Sequence, residues 1–303
     1  MDEDTLQWGM NKVINELKKS IIRSFSQEVL SFERPKKCNE KSSKYNKEAN
    51  EILLEKHSKM PRHTLADLYT KGAAHAEYRS NLMVETYINR SACLFDGEMY
   101  EESLMDIERV LKMNCRDKDK STLYGRKAER LFVLKGMCPE VTEALNNTRK
   151  WFNVMNVSFK STMTKFLDEF PGDLLTRKPL KKTDTNKFIS KISEENPVLV
   201  GASSAIDLKY SENFDRYIVA ARDIAAGETL WVRKSYISII HPQSRYKYCW
   251  NCSKRAWSGI PCHHCANVIY CNENCRDEAW KEHHDIECPV IHVLLNTTVT
   301  KLK

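Results

Sequence analysis

Cys249-Trp250-Asn251-Cys252, Cys262-His263-His264-Cys265 and Cys271-Asn272-Glu273-Asn274-Cys275, closed by His284 and Cys288, decide how this chain is read. Seven of its eleven cysteines fall there. Two thiolates separated by two residues grip one Zn²⁺ at about 2.3 Å per sulfur. A tetrahedral zinc takes four ligands, so eight candidate donors imply two ions. These donors are Cys249, Cys252, Cys262, Cys265, Cys271, Cys275, His284 and Cys288. The gaps between them are 2, 9, 2, 5, 3, 8 and 3 residues, too close for a one-zinc finger and lacking a His-x₃₋₅-His ending. Scattered buried thiols are the plain alternative, and the crowding argues against it. His283 competes with His284, but His284 keeps the three-residue gap that places it one turn before Cys288. His263 and His264 lie inside a knuckle and read as solvated or as neighbours of ligands.

This spacing resembles the MYND zinc-finger family, whose ligands interleave. The resemblance assigns Cys249, Cys252, Cys271 and Cys275 to one zinc, and Cys262, Cys265, His284 and Cys288 to the other. Tyr270 before Cys271, and Ala279-Trp280 ahead of the last two ligands, match the family too. A RING domain would end in a Cys-x₂-Cys pair, which is absent. The metal is expected to be structural, because so short a segment buries too little apolar surface to fold alone. A full set of protein ligands leaves no open position for water, which excludes a hydrolytic site. The finger shares no ligand with the helices before it, so loss of Cys271 is expected to unfold it and leave them standing.

At 303 residues, 41% hydrophobic and 29% charged, the chain suits two or three domains with ordinary cores. No apolar run approaches the roughly 20 residues of a membrane span. Met1-Asp2-Glu3-Asp4 lacks the basic start of a signal peptide. The remaining cysteines, Cys38, Cys93, Cys115 and Cys138, read as buried thiols in a reducing nucleus or cytoplasm. A net charge of +7 is modest for this length and reads as a solvated surface. Nucleic acid is disfavoured as a partner: the helix expected over 273–283 sets Glu273, Asp277, Glu278 and Glu282 against Arg276 and Lys281.

Helical periodicity opens the chain at Leu6, Met10, Val13, Ile14, Leu17, Ile21 and Ile22. Pro35-Lys36-Lys37 and Lys41-Ser42-Ser43-Lys44 then read as a polar connector, giving residues 1–45 as helix plus connector. From 46 to 150 come short amphipathic helices. One covers 87–95, Gly97-Glu98-Met99-Tyr100 turns the chain, and 100–111 returns. Ser91 and Ser103 let the pair approach while Leu94, Tyr100, Ile107 and Val110 fill the seam. Asn-Arg-Ser-Ala at 89–92 resembles a tetratricopeptide repeat, with weaker copies over 127–145 and 49–71. Stacked repeats form a concave face for peptides, where Arg90, Arg126 and Lys127 are candidates to hold carboxylates. An unrelated helical bundle is the other reading. Helix continues over 151–170 to Pro171-Gly172, and 177–191 is a basic linker, closing a 151–195 segment.

After Asn196-Pro197 the period changes. Arg216-Tyr217-Ile218-Val219-Ala220-Ala221 reads as a strand, 223–228 as a turn, and Thr229-Leu230-Trp231-Val232 as the return strand. The span 216–228 resembles the opening of a SET domain. A SET opening (196–245) interrupted by a MYND finger (249–288), after a tetratricopeptide region, is similar to the SET and MYND domain-containing protein-lysine methyltransferases, in their tetratricopeptide-bearing branch. The fold class expected is therefore α+β, mostly α: helical repeats, a short β segment and a two-zinc finger. The resemblance implies methyl transfer from S-adenosylmethionine to a lysine of a protein substrate. It places cofactor-binding candidates at Asp215, Arg216 and Tyr217, with Asp215 standing where the family has a glycine. The family's Asn-His-Ser-Cys motif and catalytic tyrosine belong downstream of the finger, and only 289–303 follow it. On this reading the chain is a fragment or truncated form with no catalytic residue of its own. The alternative is a non-catalytic adaptor whose repeats and finger hold partner peptides, with no membrane contact.

Overall fold

A computed structural model describes residues 37–54, 61–113, 115–177, 192, 194–233, 238–292 and 295. The helix expected over 6–22 and nearly all of the basic linker lie outside them. The described residues form two compact units, Met1–Pro179 with Ile240–Lys303, and Leu180–Ile239. They are mostly helical with short strands, the α+β class expected. None of the described helices is long and apolar enough to cross a membrane.

In the larger unit the helices between Asn39 and Trp151 each pack against the next in chain order. Helix α1 (Asn39–Leu54) begins inside the stretch expected as a polar connector, so Lys41-Ser42-Ser43-Lys44 is helical. Its inward face explains the misreading. Ser42, Asn46 and Ala49 recur at helical spacing and are buried, yet only Ala49 registers as apolar. Asn46 and the Ser42 carbonyl meet Gly72 on α2 (Arg62–His75), where a Cβ would overlap Asn46 Oδ1. Asn46 Nδ2 donates to Thr86 Oγ1 at 2.6 Å, tying both helices to the next.

Helix α3 (Asn81–Asp96) starts at Ser80, whose Oγ accepts from Met83 N. Helix α4 (Tyr100–Lys112) returns antiparallel after Gly97-Glu98-Met99. Ser103 Oγ donates to the Ser91 carbonyl at 2.6 Å, so the small residues do bring the backbones together. Leu94, Tyr100, Ile107 and Val110 are all buried. Helices α5 (Asp117–Lys135) and α6 (Pro139–Trp151) form the next pair. Helix was expected unbroken over 151–170. Instead a 3₁₀ turn, Phe152–Val154, and two extended residues precede α7 (Val157–Glu169), and the break turns Met155 into the core.

The smaller unit holds β1 (Ile206–Ser211) paired antiparallel with β2 (Asp215–Ala220), Ile206 opposite Ala220. Strand β2 covers the expected strand, but its partner precedes it. Thr229-Leu230-Trp231-Val232 is not the return strand. It runs beside 201–203, with Ser203 N donating to the Leu230 carbonyl and Val232 N to that of Gly201. Two local constraints steer it there. Glu228 closes the 222–228 turn on itself, accepting from Arg222 and Ala225 N. Gly201, at φ +75°, lets the Val232 carbonyl approach where a Cβ would stand 2.6 Å away.

The zinc-finger region completes the larger unit: β3 (Ile260–Pro261) against β4 (Ile269–Tyr270), then α8 (Glu273–Ala279), a π turn (Trp280–His284) and α9 (Asp285–Glu287). It docks on α2, α3 and α4 through hydrogen bonds from buried arginines to its backbone and one part-buried ion pair. Arg90 of α3 is fully buried, and its Nε and Nη2 fork onto Asp106 of α4 at 2.7 Å each. Its Nη1 donates to Thr70 Oγ1 of α2 at 2.8 Å and to the Gly259 carbonyl of the finger at 2.9 Å. Arg109 Nη1 bonds Asp106 and the Ser258 carbonyl, and Arg255 reaches Asp67 at 2.6 Å. The finger is therefore not separate from the helices, contrary to the expectation that each stands alone.

These bonds also correct the candidate carboxylate receptors. Arg90 is consumed inside the protein. Lys127 pairs with Glu108 at 3.2 Å, and Arg126 leaves a buried Nη1 without a partner. Replacing Arg90 by Ala leaves the buried Asp106 with Arg109 as its remaining cation and empties the seam it fills, and the expected loss is about 3–5 kcal/mol of stability, measured by denaturant unfolding of the zinc-loaded chain.

Candidate metal centre

The eight candidate donors come together as two groups, Cys249, Cys252, Cys271 and Cys275, and Cys262, Cys265, His284 and Cys288, with the donor atoms of each within 4.8 Å of one another. A tetrahedron with bonds of about 2.3 Å to sulfur and 2.0–2.1 Å to nitrogen has S–S edges near 3.8 Å and S–N edges near 3.5 Å. The first group shows 3.7 Å for Cys252–Cys271 and 3.5 Å for Cys271–Cys275. The second shows 4.0 Å for Cys262–Cys288 and 3.6 Å from Cys265 Sγ to His284 Nε2. Both sets fit zinc with a full complement of protein ligands.

Local structure explains the placement. The turn after Cys249 closes with Ser253 N on the Cys249 carbonyl, and Ser253 takes φ +58°. Cys271 follows β4, and Asn272 caps α8 by accepting from Cys275 N at 2.8 Å, which orients the fourth donor. His264 N points at Cys262 Sγ, 3.4 Å away. The π turn carries His284 inward, where it is buried, and His284 accepts from Cys288 N at 2.7 Å through its carbonyl.

The thiol cluster demands positive charge. Hydrogen bonds with Cys265 and Cys288 hold Cys262 far below the usual thiol range, while Cys288, the partner that keeps a proton, is pushed far above it. Burial opposes a charge on His284, but the Cys262 and Cys265 sulfurs and Glu287 outweigh it and raise that imidazole to about 11. Zinc supplies this charge when bound and displaces the shared protons.

Two residues that the spacing did not single out, Glu287 and Lys37, lie close to the centre. Glu287 Oε2 accepts from Trp250 Nε1 at 2.9 Å and lies 3.4 Å from His284 Nδ1. One carboxylate thus orients the histidine ligand and anchors the knuckle of the other site. Lys37, from outside the finger, donates to the Ala74 carbonyl at 3.1 Å; burial lowers it to about 8, with the Cys262, Cys265 and Cys288 thiolates pulling the other way. A Glu three residues after His284 was visible in the sequence. Lys37 carried no such signal, because only tertiary packing brings it near.

The other histidines stay out. His263 Nε2 contacts Arg276 Nη1 at 2.8 Å and its ring meets Tyr78 at 4.0 Å, while His264 faces Trp280. All eleven cysteines are unbridged. Burial pushes Cys93 up to about 12 and raises Cys115, so both remain protonated thiols, whereas Cys38 and Cys138 are only half-buried.

Residues 249–288 match the MYND finger family. The chain is 30% identical over 259 residues to protein-lysine N-methyltransferase SMYD4 of Gallus gallus, covering 77% of this chain and 35% of that protein. It is 28% identical over 261 residues to SMYD4 of Homo sapiens, covering 77% and 32%. A SET and MYND domain-containing protein of Dictyostelium discoideum is 37% identical over 89 residues, 28% of this chain and 23% of that one. The chain belongs to the SET and MYND domain-containing family. It spans about a third of the length of the SMYD4 relatives from chicken and human. No solved structure matches it.

The cofactor candidates lie in the smaller unit, at the start of β2. Asp215 has φ +55°, the left-handed region that favours glycine and that Asp tolerates. Asp215 and Arg216 are exposed; Tyr217 is half-buried, edge-on to Phe214 with ring centres 6.0 Å apart.

Two outcomes are expected of the centre. Stripping zinc with a chelator, or the Cys271→Ser substitution, is expected to lower hydrogen-exchange protection in α3 and α4 as well as in the finger, because Ser258 and Gly259 hold their arginines. Glu287→Gln is expected to weaken zinc binding about 10–100-fold, read by competition with a chromophoric chelator.

Proposed function

We propose that this chain is the partner-binding portion of a SET and MYND protein-lysine N-methyltransferase. The observation that carries the reading is the extent of the likeness: it runs over 77% of the chain, far beyond the finger, to proteins named as protein-lysine N-methyltransferases. The helical hairpins α1–α2, α3–α4 and α5–α6 are read as tetratricopeptide repeats, on the close Ser91–Ser103 crossing and the Asn-Arg-Ser-Ala run. The hairpin of β1 and β2 is read as part of a SET domain, with Asp215, Arg216 and Tyr217 on the side toward S-adenosylmethionine. The left-handed backbone at Asp215 supports this reading, since it is the conformation a glycine there would supply.

The reaction so implied moves a methyl group from S-adenosylmethionine to a lysine side chain of a protein, which requires a neutral amine held in line with the methyl carbon. No catalytic role is assigned to residues 1–303. The finger's donors are saturated by protein ligands, so its part is structural and its use lies in contacts with partner proteins. The nucleus and cytoplasm are the proposed location, in keeping with unbridged thiols.

A second reading, a non-catalytic adaptor, is favoured by one observation: the array and finger share a buried polar network and make one compact unit without the smaller one. The transcript beyond the codon for Lys303 separates the two. A frame running on into Asn-His-Ser-Cys and a later tyrosine, whose product labels protein lysines from methyl-tritiated S-adenosylmethionine, is the expected result. A stop codon there, with the chain stable in cells, leaves the adaptor.

A further inference from the structure

A cleft of about 200 Å³ opens between the helical array and the finger, walled by Tyr78, Met83 and Tyr87 on one side and by Ile260 and Pro261 on the other. Four cations line it, Arg79, Arg109, Lys112 and Arg276, against the single carboxylate of Glu273. Their states differ. Arg276 is engaged with Asp277 at 2.9 Å and with His263. Arg109, only 8% exposed, spends Nη1 on Asp106 and Ser258 and sets Nε 3.5 Å from Glu273. Its Nη2 is buried and has no partner, an unmet demand for an acceptor. Arg79 and Lys112 stand exposed at the rim, and Arg79 covers the Tyr78 ring at 5.3 Å.

We propose that this cleft docks an acidic peptide segment of a partner protein, with an Asp or Glu carboxylate directed at Arg109 and a neighbouring apolar side chain between the tyrosines and Ile260. The inference rests on the partner-binding reading above and names the chemistry of the partner. Charge selects an anion, since Arg79, Lys112 and Arg109 outnumber the single carboxylate of Glu273 among the lining residues. The apolar walls select an anion that carries apolar surface with it, because a small free anion leaves them wet. The volume suits one or two side chains and is smaller than a cofactor site.

The test pans a phage library of random peptides on the zinc-loaded chain at physiological ionic strength, beside the double variant Arg79→Glu/Lys112→Glu and the control Lys281→Glu, a charge reversal on an exposed finger residue. The expected result is a peptide set enriched by the parent and the control and lost on the double variant. Each member carries Asp or Glu beside an apolar residue, and amidating that carboxylate weakens the synthetic peptide at least about tenfold. The double variant is expected to keep its melting temperature; should it fall, Arg79→Gln/Lys112→Gln takes its place. Peptides enriched equally by parent and double variant would overturn the cleft and leave partner binding elsewhere on the module intact. Enrichment by none of the proteins would overturn both readings.

Discussion

The guanidinium of Arg90 is the point on which the larger unit turns. It lies with no solvent contact among α2, α3, α4 and the finger, and four acceptors on three different elements satisfy it. A buried charge is tolerated only when it is both paired and fully hydrogen-bonded, so the positions of Asp106, Thr70 and Gly259 are fixed together. Gly259 is held to this contact from its other side as well. A Cβ there would stand 2.7 Å from Ile269 Cδ1 and 3.1 Å from the Ala256 carbonyl oxygen, so a larger residue would crowd the finger's own core. Shape and charge specify the same docking.

The finger in turn needs the array. Its core includes Ala74 of α2 beside Cys262, Ile269 and Tyr270, and Lys37 brings an ammonium group toward thiolates whose charge exceeds that of one zinc. The two donor sets interleave along the chain, and Glu287 joins them in space through Trp250 and His284. Folding, metal binding and docking are thus one linked equilibrium.

For a member of the SET and MYND family this coupling has a functional sense. A finger with saturated metal sites cannot act on substrate, but fastened to a helical array it presents a composite surface that neither part makes alone. The cleft between them draws its apolar walls and its cations from both sides.

The metal centre was the most legible part of this chain, because tetrahedral ligation imposes short fixed spacings that only Cys and His supply. Helices α3 to α6 were legible too, through apolar residues repeating at helical spacing, and together these features announced a mostly α chain with a small β content. The start of helix α1 was not, since Ser42 and Asn46 pack against Gly72 and carry no apolar period. Nor was the partner of β2, because pairing is chosen by turn geometry on both sides of a strand and not by its own pattern. Arg90 was a candidate to hold a carboxylate on a concave face, with plain surface solvation as the other reading, and tertiary structure turned it inward. Local spacing and composition determine which atoms can ligate and which faces are apolar. Which polar residues become a buried seam depends on partners far apart in the chain, here 169 residues from Arg90 to Gly259, and only the packed fold brings them together.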